Sequence, residues 1–188
     1  MSMRTLYNLF MAKKAINYVN NSVEVISPNQ IPKIPELLPY RDDMKLQLHH
    51  MRKMIDQTTR KNVIRDNIKR DEPHFYQKLY GKRIPIRSAY ATEWHVGNCG
   101  EKAAIAFAHL KFNRVKPLDF FSIDIDNLGN DHHSIVVIGR VTGNSTDPAT
   151  WGREAVICDP WDKTAYPAHL YPDKVAFKGR LKLRYRYE

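Results

Sequence analysis

Cysteine is scarce in this chain, whose 188 residues contain Cys99 and Cys158 and no other. Two cysteines cannot form the several disulfide bridges that stabilise small secreted folds, so we expect apolar packing to hold the core together. The scarcity fits a reducing compartment, or a protein that ends its life in one. It also makes the position of each cysteine informative.

Long apolar runs are missing as well. No stretch approaches the roughly 18 apolar residues of a membrane span, so we predict a soluble, cytoplasmic protein. The first 20 residues are interrupted by Asn8, Lys13 and Lys14, and they do not have the pattern of a secretory signal. Their apolar side chains predict a loosely amphipathic helix instead: Leu6, Leu9, Phe10 and Ile16.

Acidic residues are few in the first half of the chain. Residues 1–90 hold 17 Lys and Arg against 8 Asp and Glu, whereas residues 91–188 hold 13 against 12. The excess of positive charge could attract an acidic partner, nucleic acid or an anionic membrane surface. It is equally typical of a solvated helical face that is rich in lysine.

Proline is concentrated in residues 27–40, SPNQIPKIPELLPY, which carry four prolines. Because proline removes a backbone donor and disfavours helix in the preceding residue, we predict an extended connector there. Asp42 or Asp43 could then cap a long helix that Pro73 closes. Apolar side chains recur along this segment at helical spacing: Met44, Leu48, Met51, Ile55, Ile64 and Ile68.

Gly81 and Pro85 follow, and they predict that no long element forms just after Pro73. We therefore divide the chain into a basic, helical N-terminal extension over residues 1–72 and a catalytic core over residues 73–188. The core is expected to be one compact unit.

The second half alternates in the manner of strands after a single helix. Residues 99–111 predict a mostly buried helix, and a turn with glycine is expected over 127–131. Period-2 alternation or short apolar runs predict the strands: 118–125, 133–140, 154–158 and the tail 175–187. One helix followed by strands with short connections favours an α+β fold, in which an antiparallel sheet packs on the helix.

Cys99 lies in the stretch GNCGEKAAIAFAHL, between a glycine-flanked turn and the predicted helix. The thiolate is the useful nucleophile of cysteine, and unpaired N–H groups at a helix N-terminus favour that charged form. Gly97 and Gly100 allow the backbone to turn tightly and to approach a substrate. Cys158, inside a predicted strand, is interpreted as a core residue.

A base and an orienting carboxylate follow along the chain. His133 opens an apolar strand and shares a face with Ile135 and Val137, whereas the adjacent His132 points to the opposite face. Asp159 ends the next strand, where a carboxylate can accept a hydrogen bond from the far ring nitrogen of the histidine. The order predicts a triad of Cys99, His133 and Asp159.

Three motifs, GNCGEKAAIAFAHL, DHHSIVVIGR and AVICDPWDKTAYPA, together resemble the papain-like and transglutaminase-like cysteine enzymes. The closest similarity is to small bacterial effectors delivered into host cells, and it covers residues 93–167. The resemblance implies that Cys99 heads the central helix, that His133 begins a strand and that Asp159 follows on the next one. It implies no metal and no organic cofactor.

One position departs from the papain-like pattern. Those proteases place a glutamine six residues before the nucleophile as an oxyanion donor, and this chain has Glu93 there. An ionised carboxylate would repel the developing oxyanion, so another donor must join the Cys99 N–H. The candidates are Asn98, His95 and Trp94, and Trp161 or Trp94 could shield the Cys–His pair or wall the acyl pocket.

The resemblance implies an acyl-transfer enzyme acting on a protein substrate, as a protease, a glutamine deamidase or a transglutaminase. The basic half would suit a host protein with an acidic surface. Delivery into a host cell would then use a route without a secretory signal peptide. The alternatives are an inactive binding module of the same fold and a basic nucleic-acid-binding protein, the latter suggested by the cationic, aromatic tail KGRLKLRYRYE.

A metal enzyme is a further alternative, which the sequence disfavours. The stretch DIDNLGNDHH is similar to Asp-His-His phosphoesterase motifs, but the first half offers none of the upstream strand-end ligands that such sites need. A zinc site would have to draw on ligands that lack the paired spacing of known motifs: His132, His133, Cys158 and His169.

Overall fold

The computed structural model describes residues 1–126 and 131–188, apart from the side chains of Pro32 and Lys33. The turn expected over 127–131 therefore lies, except for Asp131, outside the described residues. In chain order the described elements are α1 Met3–Asn17, α2 Arg41–Arg65, α3 Phe75–Trp94, α4 Cys99–Phe112, β1 Leu118–Asp124, β2 His132–Ile138, β3 Val156–Asp159, β4 Thr164–Pro167, α5 Tyr171–Lys174 and β5 Arg180–Tyr187.

The five strands form one antiparallel sheet in the order β4-β3-β2-β1-β5. The predicted α+β class with an antiparallel sheet is confirmed. Strands β1, β2 and β3 are almost wholly buried because both faces of the sheet are covered. Strand β4 was not predicted from the sequence; it has four residues and pairs with β3.

The faces of the sheet carry separate apolar clusters. On the first face, Phe120, Val136 and Cys158 belong to a cluster that includes the buried side of α4. On the second face, Ile135 and Ile157 pack in a cluster with other buried side chains: Phe121, Ile123, Val137, Trp151, Tyr166 and Leu181. Alternation along each strand thus fixes which residues face α4.

Helix α1 belongs to the first cluster, through Met11, Ala12 and Ala15. Its buried face differs from the predicted one, because Leu6 and Phe10 are exposed. Hydrogen bonding also connects the helix to the rest of the fold. The Asn8 amide donates to the Glu154 carbonyl oxygen at 2.9 Å, on the buried side of α1. Side chains on both sides of residue 72 therefore share one apolar cluster.

The proline-rich segment is not extended as predicted. It forms two 3-10 helices, Pro28–Lys33 and Pro35–Tyr40. Each begins with a proline, whose fixed φ is already close to the helical value and whose missing N–H would have no partner in a first turn. Proline therefore starts helical turns here rather than preventing them.

Helix α3 overturns the expectation that Gly81 and Pro85 prevent a long element. The helix runs through both residues for 20 positions. Gly81 faces β5, and a Cβ atom there would lie 3.2 Å from Cε1 of Tyr185. Pro85 is exposed, so the backbone groups that it leaves unpaired can meet water. Packing outweighs the local preference.

No helix in residues 1–126 and 131–188 has both the length and the apolar character that crossing a membrane requires.

Candidate active site

Cys99 is the first residue of α4, directly after Asn98 at the N-cap. The backbone N–H of Asn98 donates to Oε1 of Glu101 at 2.9 Å, and the N–H of Lys102 donates to the Asn98 carbonyl oxygen at 3.0 Å. These bonds fix the first turn, and they leave the Cys99 N–H at the open end of the helix. The thiol is part-exposed, and Sγ lies 3.7 Å from the carbonyl oxygen of His132.

Glu101 stabilises this first turn of α4 through its bond to the Asn98 N–H, and its side chain is fully buried. Arg52 Nη2 lies 2.8 Å and Arg87 Nε 2.6 Å from its carboxylate. Burial opposes ionisation, but the two guanidinium groups and the Asn98 N–H lower the pKa of Glu101 to about 2. The carboxylate is therefore charged at neutral pH, and it holds two arginines beside the nucleophile.

Arg87 lies directly against Gly100. A Cβ atom on Gly100 would be 2.5 Å from Nη2 of Arg87, so only glycine leaves room for this guanidinium. Burial acts to lower the pKa of Arg87, but the charges of Glu101 and Cys99 contribute to raising it. The structure thus places the Arg87 guanidinium near Cys99. No local sequence pattern predicted this contact.

His133 is buried at the start of β2 and bonds to Asp159, with Nε2 and Oδ2 2.6 Å apart. Burial by itself lowers the pKa of His133, but the hydrogen bond to Asp159 and the nearby Cys99 outweigh that effect and raise the pKa to about 9. Since Nε2 donates to the carboxylate, Nδ1 is the ring nitrogen left for the thiol. The structure therefore places His133 and Asp159 in direct contact, and Cys99 bonds to the carbonyl oxygen of the residue before His133.

Sheet topology explains why Asp159 reaches His133. Strand β3 pairs with β2 only from Val136 to Ile138, so β3 leaves the beginning of β2 uncovered on that side. Asp159 follows Cys158 and by alternation lies on the same face as Ile157, which is also the face of His133. The backbone N–H of Asp162 donates to Oδ1 of Asp159 at 3.1 Å and fixes the carboxylate.

Aromatic rings cover the histidine. Trp161 and Phe177 meet the His133 ring edge-to-face, with centroids 5.5 and 5.1 Å away. Trp161 is held by the 3-10 segment of the N-terminal region: its Nε1 donates to Oδ1 of Asn29 at 2.9 Å, and Gln30 donates to its carbonyl oxygen at 2.8 Å. Trp161 and Phe177 therefore pack over the His133 ring, and Trp161 is fixed there by the N-terminal region.

The predicted oxyanion candidates occupy different places. Asn98 lines the cavity next to Cys99, and its Oδ1 accepts hydrogen bonds from Ser27 and from the Asn29 N–H. His95 instead bonds through Nδ1 to the Val23 carbonyl oxygen at 2.6 Å, and Trp94 packs against the first cluster.

Several site residues have no signal in the local sequence. Ser27, Asn29 and Gln30 lie about 70 residues before the nucleophile in a segment that was interpreted as a connector. One local signal did exist: the spacing Asn98-x-x-Glu101 is that of a capping box, which predicts a carboxylate folded back onto the N-cap. The partners of that carboxylate, Arg52 and Arg87, are long-range contacts.

A cavity of about 530 Å³ opens beside Cys99. It is lined on one side by His132, which by alternation lies on the face opposite His133. Charged side chains form much of the rest: Arg52, Asp56, Arg83, Arg87, Asp131 and Arg184. A substrate can therefore reach the thiol from a largely polar cleft.

The proposed metal ligands are not assembled. Within residues 1–126 and 131–188, no three His, Cys, Asp or Glu side chains are grouped as a metal ion would require. Cys158 lies on the face opposite His133, with Sγ 3.7 Å from the Ala12 carbonyl oxygen. Burial raises the pKa of this thiol well above its usual value, as expected for a core residue.

A scan of the chain against protein-family models finds no match, and a search of the curated proteins finds none.

Proposed function

We propose that the protein is a cysteine-dependent acyl-transfer enzyme, with Cys99 as nucleophile, His133 as acid and base, and Asp159 as the group that orients His133. The observation that carries the proposal is a part-exposed cysteine at a helix N-terminus, beside a cavity and near a buried histidine that is hydrogen-bonded to a carboxylate. Cys99 opens onto the cavity, and a nucleophile with a nearby base that a third group orients is the arrangement used in nucleophilic catalysis by cysteine.

The first half-reaction forms a thioester. The Cys99 thiolate adds to a carbonyl carbon, and the oxygen becomes an oxyanion that the Cys99 N–H and the Asn98 amide can bind. The C–N bond then breaks, and protonated His133 gives its proton to the leaving amine. A histidine with a pKa of about 9 carries that proton at neutral pH.

The second half-reaction releases the acyl group. Once Cys99 is acylated it no longer provides a thiolate for His133, so part of the interaction that raises the histidine pKa is lost. The neutral imidazole can then take a proton from water or from an amine as it attacks the thioester. Water completes proteolysis or deamidation, and an amine completes a crosslink.

The narrower assignment, to a protease, deamidase or transglutaminase that acts on host proteins, rests on the resemblance of the motifs to bacterial effector enzymes. The proposed substrate is a host protein that offers a peptide bond or a glutamine carboxamide. No metal or organic cofactor takes part in the proposed steps.

Intact-mass analysis of host-cell lysate proteins, before and after exposure to the wild-type protein, tests the proposal. Cleavage fragments, a gain of about one mass unit, or a crosslinked adduct would identify proteolysis, deamidation or transamidation respectively. The change should vanish with Cys99→Ala and persist with Cys158→Ala, the matched control. A set of lysate proteins unchanged by wild type would contradict the proposal.

A further inference from the structure

The cavity beside Cys99 carries an unusual set of charges. Four arginines line it, Arg52, Arg83, Arg87 and Arg184, and the carboxylates among its lining residues are Asp56 and Asp131. The buried carboxylate of Glu101 lies beneath Arg52 and Arg87 and provides one negative charge for two guanidinium groups. Counting these groups, the cavity keeps about one net positive charge.

Arg83 is only weakly neutralised. Its Nη2 lies 2.9 Å from Oδ1 of Asp56, whose side chain is 63% exposed. An ion pair so open to water contributes little binding energy. Its Nε is buried and has no hydrogen-bond partner within the described part of the chain. Part of this guanidinium therefore lacks an acceptor.

Arg184 has no ion pair with any carboxylate of residues 1–126 and 131–188. Its Nε bonds to the Ser122 hydroxyl at 3.3 Å, and its Cζ lies 4.6 Å from the centroid of the Tyr76 ring. The Tyr80 ring lies between the two arginines, 5.9 Å from each guanidinium carbon. Two cations thus share one aromatic ring at the wall of the cavity.

We propose that Arg184 and Arg83 bind a carboxylate of the substrate, so that the acyl group transferred to Cys99 belongs to an acidic peptide segment. A guanidinium with open donors pairs with carboxylate through charge-assisted hydrogen bonds. A carboxylate carries one negative charge and would balance the net positive charge of the cavity. A doubly charged phosphate would leave an excess of negative charge. The inference rests on the proposed function, since it names the substrate class of the same site.

The test uses two alkylating probes that differ only in charge, N-bromoacetyl-glutamate α-amide and N-bromoacetyl-glutamine α-amide. Mass spectrometry measures the rate at which each labels Cys99. We expect wild type to react about tenfold faster with the acidic probe. The ratio of the two rates should fall toward one in Arg184→Gln and Arg83→Gln. Arg153→Gln, an exposed charge outside the cavity, should leave it unchanged.

Each adverse result has a distinct meaning. A wild-type ratio near one, with Cys99 labelled by both probes, would overturn the carboxylate site and leave the proposed function standing. A still faster reaction with N-bromoacetyl-phosphoserine α-amide would overturn carboxylate in favour of phosphate. Failure of both glutamyl probes to label Cys99 would overturn the proposed function together with this inference. The wild-type ratio needs no variant, so a misfolded mutant cannot obscure the result.

Discussion

His133 is a buried side chain that binds its proton more tightly than an ordinary histidine. Asp159 bonds to its Nε2, and Asp159 and the nearby Cys99 together raise its pKa against the effect of burial. His133 therefore already carries, before substrate binds, the proton that the proposed first half-reaction transfers to the leaving amine.

This pKa predicts how stability depends on pH. The folded value, about 9, lies above the unfolded value near 6.5, so the stabilisation is fully present below about pH 6.5 and lost as pH rises through about 9. Asp159→Asn removes the carboxylate. The difference in unfolding free energy between wild type and Asp159→Asn should shrink between about pH 6 and about pH 9.5. Urea denaturation measures it, and a constant difference would contradict the assignment.

Gly100 is a second residue whose identity matters, because Arg87 occupies the space of its missing side chain. Gly100→Ala should displace the guanidinium and slow alkylation of Cys99 by iodoacetamide at neutral pH by about tenfold, because a cation beside a thiol favours its reaction as a nucleophile. Arg52→Gln is the control, since Arg52 also binds Glu101. Equal slowing of Cys99 alkylation in Gly100→Ala and Arg52→Gln would contradict a specific role for Arg87. It would show that losing one ion pair with Glu101 is enough to explain the slower reaction.

Among the elements, those with a strong local pattern could be predicted from the sequence. Helix α4 and strands β1 and β2 lie within a few residues of their expected bounds, because alternation and helical spacing report burial directly. The 3-10 segment and β4 could not be predicted, since each depends on a distant partner. Cys99, His133 and Asp159 were predicted from local patterns, whereas Asn29 and Arg87 reach this region only through the tertiary fold.

Helix α3 offers a test of this competition between local preference and packing. Pro85 is exposed in the helix interior, so Pro85→Ala should restore a donor and raise the unfolding free energy by about 1–3 kcal/mol. Gly81→Ala should gain less than its helix propensity suggests, because its Cβ would lie 3.2 Å from Tyr185. Chemical denaturation compares the variants, and a destabilised Pro85→Ala would contradict the helix.

At the scale of the whole molecule, the N-terminal region takes part in both core and site. Helix α1 packs in the apolar cluster of the sheet. Asn20 donates to the Pro160 carbonyl oxygen at 3.0 Å and accepts from the Lys102 ammonium at 2.7 Å. Asn29 holds Trp161 over the histidine. The N-terminal region, which was predicted to be a separate extension, therefore contacts residues next to Cys99 and residues next to Asp159.

A truncated chain of residues 73–188 should consequently fail to unfold cooperatively, because removing α1 and α2 exposes one side of the shared cluster. The full chain should show a single sigmoidal transition. Circular dichroism during heating distinguishes the two. A truncated chain that melts as sharply as the full chain, at a similar temperature, would show that residues 73–188 fold alone.

The rate of Cys99 carboxamidomethylation by iodoacetamide at about pH 6, in wild type and in His133→Gln, tests the central claim most directly. If Cys99 and His133 form one reactive unit, wild type should be labelled at Cys99 at least about tenfold faster than the variant, with buried Cys158 unlabelled in both. Equal rates in the two proteins, or a wild-type Cys99 that the reagent does not reach, would contradict it.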